Sequence, residues 1–101
     1  MDDLEVLKKA RALISDPRRW TRGTYAKDAD GDECTATDPE ACCFCALGAI
    51  QRIRNVCSDT YAAQLLNCKP GFVASFNDGR THAEVLALFD QAIARLENGN
   101  V

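Results

Sequence analysis

No stretch of this chain approaches the roughly 20 consecutive apolar residues that a bilayer span requires. Nor does a basic leader open it. The first residues are Met1-Asp2-Asp3, acidic where a secretory signal is positively charged, and an amphipathic segment follows them. The two absences argue against a membrane and against export, so a cytoplasmic protein is expected. Charge of one sign is missing as well. The net charge is −3, and the basic residues (Lys8, Lys9 and Arg11; Arg18, Arg19 and Arg22; Arg52 and Arg54) alternate with acidic ones. A nucleic-acid footprint needs a one-signed basic face to displace phosphate counterions, so nucleic acid is not the expected partner. Internal repeats and low-complexity tracts are also lacking, and there is one histidine, His82.

What is present fits one domain over residues 1–101. An apolar share of 47% and a charged share of 27% are ordinary for a globular chain that buries a core. Six cysteines (Cys34, Cys42, Cys43, Cys45, Cys57 and Cys68) would suggest a disulfide framework after export; in a reducing compartment they are expected to be free thiols.

The spacing of apolar residues predicts a mainly α fold, a small domain of four to five helices with a short β-hairpin insertion. From Asp3 to Ile14 the residues Val6, Leu7, Ala10, Leu13 and Ile14 share one helical face, and Ser15-Asp16-Pro17 stops the helix. Thr24-Tyr25-Ala26 before Asp28-Ala29-Asp30-Gly31-Asp32 reads as a hairpin, with Tyr25 and Cys34 on its arms and Asp-Gly in its turn. Asp38-Pro39 reads as an N-cap and first helical residue, starting a helix through Cys42 to about Cys57. On its wheel Cys42, Cys45, Ala46, Ala49, Ile50, Ile53, Val56 and Cys57 fall together, and Gly48 marks a close approach by another element. Ser58-Asp59 caps a shorter helix through Leu66, ended by Asn67-Cys68-Lys69-Pro70-Gly71. Residues 72–76 are too short to classify by periodicity and are assigned one or two helical turns. Thr81-His82-Ala83-Glu84 matches the capping box of a final helix carrying Val85, Leu88, Phe89, Ala92 and Leu96, which Asn98-Gly99 ends.

Three patterns carry possible chemistry. Asp28, Asp30 and Asp32 open like a calcium loop, but Glu33 stands where the loop needs glycine and Pro39 where it needs a bidentate glutamate, so a solvated turn is expected. Cys42-Cys43-Phe44-Cys45 contains a C-x-x-C. No βαβ unit accompanies it for redox chemistry, and no second close pair completes a zinc site, so the cysteines read as small core residues. Cys45 with His82 and Asn77 or Asp78 can be drawn as a thiol hydrolase. The simpler reading buries Cys45, leaves His82 solvated at a helix start, and has Asn77 and Asp78 bonding local amides in a turn.

The order of elements resembles a family of small bacterial and phage proteins grouped as a domain of unknown function. The resemblance rests on Ala10-Arg11-Ala12-Leu13-Ile14, Trp20-Thr21-Arg22-Gly23, Ala26-Lys27-Asp28-Ala29-Asp30-Gly31, Cys43-Phe44-Cys45-Ala46-Leu47-Gly48-Ala49, Phe76-Asn77-Asp78 and Arg80-Thr81-His82-Ala83-Glu84-Val85-Leu86. The family pattern usually has tryptophan where Phe76 stands. The resemblance implies no activity and no cofactor, and it marks Trp20, Cys45, Gly48, Asn77 and Asp78 as matching the motif.

The expected function is that of a non-enzymatic binding or accessory module with a protein partner, no cofactor and no metal. Its candidate pocket residues are Trp20, Cys45, Asn77 and Asp78, and no catalytic residue is assigned. The alternatives are a thiol-dependent enzyme using Cys45 and a structural zinc-binding module. Leu88 and Phe89 are expected in the central core. Truncating Phe89 to alanine should cost about 3–5 kcal/mol, and a melting temperature within a degree or two of wild type would refute that placement.

Overall fold

The computed structural model describes residues 2–99 of the 101, so Met1 of the acidic start lies outside the described residues. Among them are five α-helices: α1 (Asp3–Ile14), α2 (Ala46–Arg54), α3 (Asp59–Leu65), α4 (Pro70–Gly79) and α5 (His82–Glu97). A 3₁₀ turn spans Pro17–Arg19, and a small sheet holds β1 (Ala26–Asp28), β2 (Glu33–Cys34) and β3 (Ala41–Phe44) in the antiparallel order β2-β1-β3. The protein is a small, mainly α domain with a three-stranded sheet. None of its described helices is long and apolar enough to cross a membrane.

Helices with complete local signals form where those signals lie. Asp2 caps α1 by accepting the Glu5 amide at 2.9 Å, and Ser58 caps α3 through the Tyr61 amide. Thr81 and Glu84 make both halves of the capping box on α5. The apolar faces meet in one core, to which α1 brings Val6, Leu7, Ala10 and Ile14, α2 brings Ala46, Leu47, Ala49 and Ile50, and α5 brings Val85, Phe89 and Ala92. Phe89 is fully buried, as expected. Leu88 is not a central residue: it is half-buried and lines a shallow groove with Phe72 and Phe76. Residues 72–76 are helical, but Pro70-Gly71 open α4 instead of ending α3, with proline in the first turn where its missing N–H costs nothing.

The largest departure from the sequence reading lies at residues 38–45. Asp38 does not cap a helix. Its carboxylate accepts the Glu40 amide at 2.8 Å and its carbonyl accepts the Ala41 amide at 3.0 Å, closing a turn that delivers Ala41–Phe44 to the free edge of β1. Asp-Pro supports either outcome locally, and pairing with β1 decides. Helix α2 therefore begins at Ala46 and ends at Arg54, short of the expected Cys57, with Asn55 in the left-handed conformation at its end. The wheel drawn over residues 42–57 breaks accordingly: Cys42, Val56 and Cys57 are exposed, while Ala46, Ala49 and Ile50 are buried. A hairpin is present with Cys34 on one arm opposite Ala26, but its first arm is shifted to Ala26–Asp28, so Thr24 and Tyr25 precede it, and both arms belong to a three-stranded sheet.

Gly48 meets its expected neighbour. A Cβ there would stand 2.0 Å from the backbone oxygen of Tyr25. That oxygen also accepts the Cys45 amide at 3.1 Å, which fixes the residue 25 backbone against the first turn of α2. Helix propensity alone predicts that Gly48→Ala gains about 1 kcal/mol. The clash with backbone predicts the reverse, a loss of about 3 kcal/mol and a melting temperature lower by ~10 °C or more. A thermal melt in which Gly48→Ala matches or exceeds wild type would remove the close approach.

Candidate functional site

Asn77 is the most buried polar side chain of the described residues, 1% exposed, and lies on the inner face of α4. Its Oδ1 accepts the Trp20 indole N–H at 2.7 Å and the Ala46 backbone N–H at 3.0 Å. Its Nδ2 donates to the Thr21 carbonyl at 3.0 Å and, at 3.4 Å, to the Asp78 carboxylate. Both groups facing Oδ1 can only donate and the Thr21 carbonyl can only accept, which fixes the orientation of the amide. The Ala46 amide is one of the first-turn donors that α2 cannot satisfy internally. One side chain thus completes a helix start, holds the indole and ties down the chain after it.

Asp78 extends the network outward. Its Oδ1 accepts the Gly23 amide at 2.9 Å, and Gly23 has φ +81°, a left-handed conformation that suits glycine. Trp20 is half-buried; Arg22 lies over its ring at 4.8 Å to the centroid, and His82 packs at 5.2 Å between centroids. The Arg22 guanidinium also donates to the carbonyl of Arg80. His82 is not solvated as the sequence suggested. Its Nε2 lies 2.6 Å from the Ile14 carbonyl, and because a carbonyl only accepts, Nε2 carries the proton. The ring closes a carbonyl in the last turn of α1 that lacks a helical partner, so a residue at the start of one helix serves the end of another.

Between these segments a half-open cleft of about 170 Å³ is lined by Gly23, Thr24, Tyr25, Cys45, Ala74, Asn77 and Asp78. Three of the four candidates read from sequence, Cys45, Asn77 and Asp78, line it together, while Trp20 braces it from behind through Asn77. Asn77 and Asp78 bond amides far along the chain, not the local ones expected of a turn. The sequence reading missed Gly23, Thr24 and Tyr25. Gly48 held the signal for Tyr25, since the close approach it announced is made by that residue.

Cys45 is buried, 7% exposed, but as the N-cap of α2 instead of a mid-helix residue: its Sγ accepts the Gly48 amide at 3.3 Å. Burial pushes its thiol up from the ordinary cysteine range, the Gly48 and Leu47 amides oppose that, and the Asp78 carboxylate adds to it. Burial also raises the Tyr25 phenol, helped by Asp59, whose carboxylate its hydroxyl bonds at 3.2 Å. The cleft therefore offers a neutral thiol beside Asp78, while the Tyr25 hydroxyl is turned to Asp59, which does not line the cleft.

The metal and redox patterns come apart. Cys42 sits exposed on β3 and Cys45 buried at the helix cap, so the C-x-x-C sulfurs do not form a pair. The oxygens of Asp28, Asp30 and Asp32 lie within 4.8 Å of one another, but Asp28 Oδ1 already accepts the Asp30 and Asp32 amides at 2.9 and 3.0 Å, the bonding of a turn.

The network predicts the order of two substitutions. Asn77→Leu leaves the indole, the Ala46 amide and the Thr21 carbonyl without partners and should cost about 3–5 kcal/mol at about 1–3 kcal/mol per stranded group. Trp20→Phe removes one donor and leaves Asn77 its other partners, so it should cost about 1–2 kcal/mol. Denaturant titration of both variants checks this, and equal losses would deny Asn77 its central place.

A comparison with the curated proteins and one with the solved structures give no match. The model of one protein family, described as a family of unknown function (DUF6197), matches residues 1–95. That span takes in every residue of the cleft and of the Asn77 network. The chain therefore belongs to this family of unknown function, DUF6197.

Proposed function

We propose that the protein is a non-enzymatic binding module of a bacterial or phage cytoplasm, and that the cleft between residues 23–25 and α4 receives a cationic, hydrogen-bond-donating group of a protein partner. The observation that carries this reading is the division of labour in the Asn77 network. The buried amide is fully bonded and fixes the walls, leaving Asp78 exposed at the mouth. A pre-organised cleft spends little free energy on ordering when a ligand enters. Its charged lining residue is the Asp78 carboxylate, so an arginine or lysine side chain is the complementary occupant.

The thiol-enzyme reading has less support. A nucleophilic cysteine needs a base within hydrogen-bond reach, and the ring of His82 is engaged with Ile14 and Trp20, with no hydrogen bond to Cys45 among the described residues. Burial also holds the thiol in its protonated, unreactive form. The zinc-module reading lacks its ligand set: among the described residues no group of three or more candidate ligand atoms includes a cysteine or histidine.

A titration of isotope-labelled protein with N-acetyl-arginine amide, followed by amide chemical shifts, tests the binding reading. Saturable shifts confined to residues 23–25 and 74–78 are expected, with a Kd of about 1 mM, the range of a single small group. Asp78→Asn keeps an acceptor for the Gly23 amide and removes the charge, so it should fold normally and bind at least about fivefold more weakly. Absence of saturable shifts in the cleft would overturn the reading. Native alkylation by iodoacetamide separates the alternatives again: Cys45 should stay unlabelled while exposed Cys42 and Cys57 react, whereas an enzymatic thiol would be labelled at once.

A further inference from the structure

Strand β3 carries two adjacent cysteines that play no part in the cleft. In a regular strand neighbouring side chains point to opposite faces. Here Phe44 is buried and Cys43 half-exposed, so regular alternation would turn Cys42 inward; Cys42 is instead exposed. The register explains why. Lys27 of β1 faces Cys43, but the next residue, Asp28, faces Ala41, so Cys42 is the extra residue of a β-bulge. A bulge sets two residues of one strand against one of its partner and brings consecutive side chains toward the same side. Burial raises the Cys43 thiol and the neighbouring Cys42 adds to that, and Cys43 Sγ donates to the Lys27 carbonyl at 3.8 Å.

Adjacency limits what such a pair can do. Consecutive Cα atoms are about 3.8 Å apart, less than the roughly 4.4–6.8 Å that disulfides usually span. A direct S–S bond between neighbours closes a strained ring. A third atom bonded to both sulfurs enlarges the ring by one member and relieves that strain. Such an atom must favour soft sulfur ligands and accept two of them at a narrow angle. A pyramidal trivalent metalloid does both, whereas two-coordinate copper(I) prefers its sulfurs on opposite sides, which adjacent residues cannot supply.

We infer that Cys42 and Cys43, set side by side by the bulge in β3, form a chelating site for a thiophilic trivalent metalloid. With an organoarsenic oxide the step is a condensation without change of oxidation state. Two As–S bonds form, the arsenic–oxygen bond breaks, and the two thiol protons leave with the oxygen as water.

The test uses the full chain, phenylarsine oxide at one equivalent, intact mass and peptide mapping. Expected is one adduct whose mass equals the reagent less one water, located on the peptide holding Cys42 and Cys43. It should survive excess 2-mercaptoethanol, a monothiol that cannot match a chelate, and yield to dithiothreitol. Cys42→Ser and Cys43→Ser should each weaken retention at least about tenfold. Mapping on the wild-type chain keeps the proposal open to refutation even if a variant folds poorly. It fails if the adduct maps to Cys34 or Cys57, which line a second cleft, if 2-mercaptoethanol strips it, or if either variant holds it as tightly as wild type.

Discussion

The side-chain amide of Asn77 is the contact on which the arrangement of this molecule depends. Burying an amide without partners costs several kcal/mol, and four partners replace the water it loses. Those partners come from three places: the indole and carbonyl at residues 20 and 21, the first amide of α2, and the neighbouring carboxylate. Asp78 shares α4 with Asn77, but neither the residue 20–21 connection nor the start of α2 is held against α4 by its own secondary structure. Trp20 and Thr21 lie in a connection bridged to β3 by one backbone bond, from the Thr21 amide to the Phe44 carbonyl at 3.0 Å. The buried amide fixes the connection, the helix start and α4 in mutual register, and the cleft is the space left between them.

A second constraint acts beside it. Gly48 lets the Tyr25 carbonyl press against the first turn of α2, and that carbonyl takes the Cys45 amide. The sheet and the helix that follows it are joined by backbone contacts where a methyl group would not fit. Cys45 fills the cap between them, its sulfur accepting the Gly48 amide. A thiol is a weaker acceptor than the oxygens that usually cap helices, but it also suits the apolar surroundings it shares with the core. The six cysteines therefore do several different things. Cys45 caps and packs, Cys34 and Cys68 pad the edge of the core, Cys42 and Cys43 share a bulge, and Cys57 lies in a loop beside Thr37.

Much of the helical framework was legible in the residues. The stripe from Val6 to Ile14, the Ser58 cap and the Thr81–Glu84 box each predicted an element that is present, because amphipathic periodicity and capping operate within a few residues. Three of the four candidate residues share one cleft and the fourth supports it from behind. Residues 41–44 misled because their wheel continued an apparent apolar face, and because Asp38-Pro39 suits a helix start as well as a turn. His82 misled for a related reason: its place at the start of α5 says nothing of the α1 carbonyl it meets.

Patterns a few residues long were enough for the mainly α class, for the stripe of α1, the cap of α3 and the capping box of α5, and for the hairpin and the close approach at Gly48. The tertiary structure decided that residues 41–44 are a strand, because the unpaired edge of β1 offers ladder hydrogen bonds that no local preference specifies. It also decided where Asn77 points. An isolated Asn-Asp pair favours bonds to nearby amides, and burial beside Trp20, 57 residues away in the chain, replaces those with distant partners. Spacing along a chain encodes what one residue does to its near neighbours, whereas a buried polar group answers to whichever segments surround it.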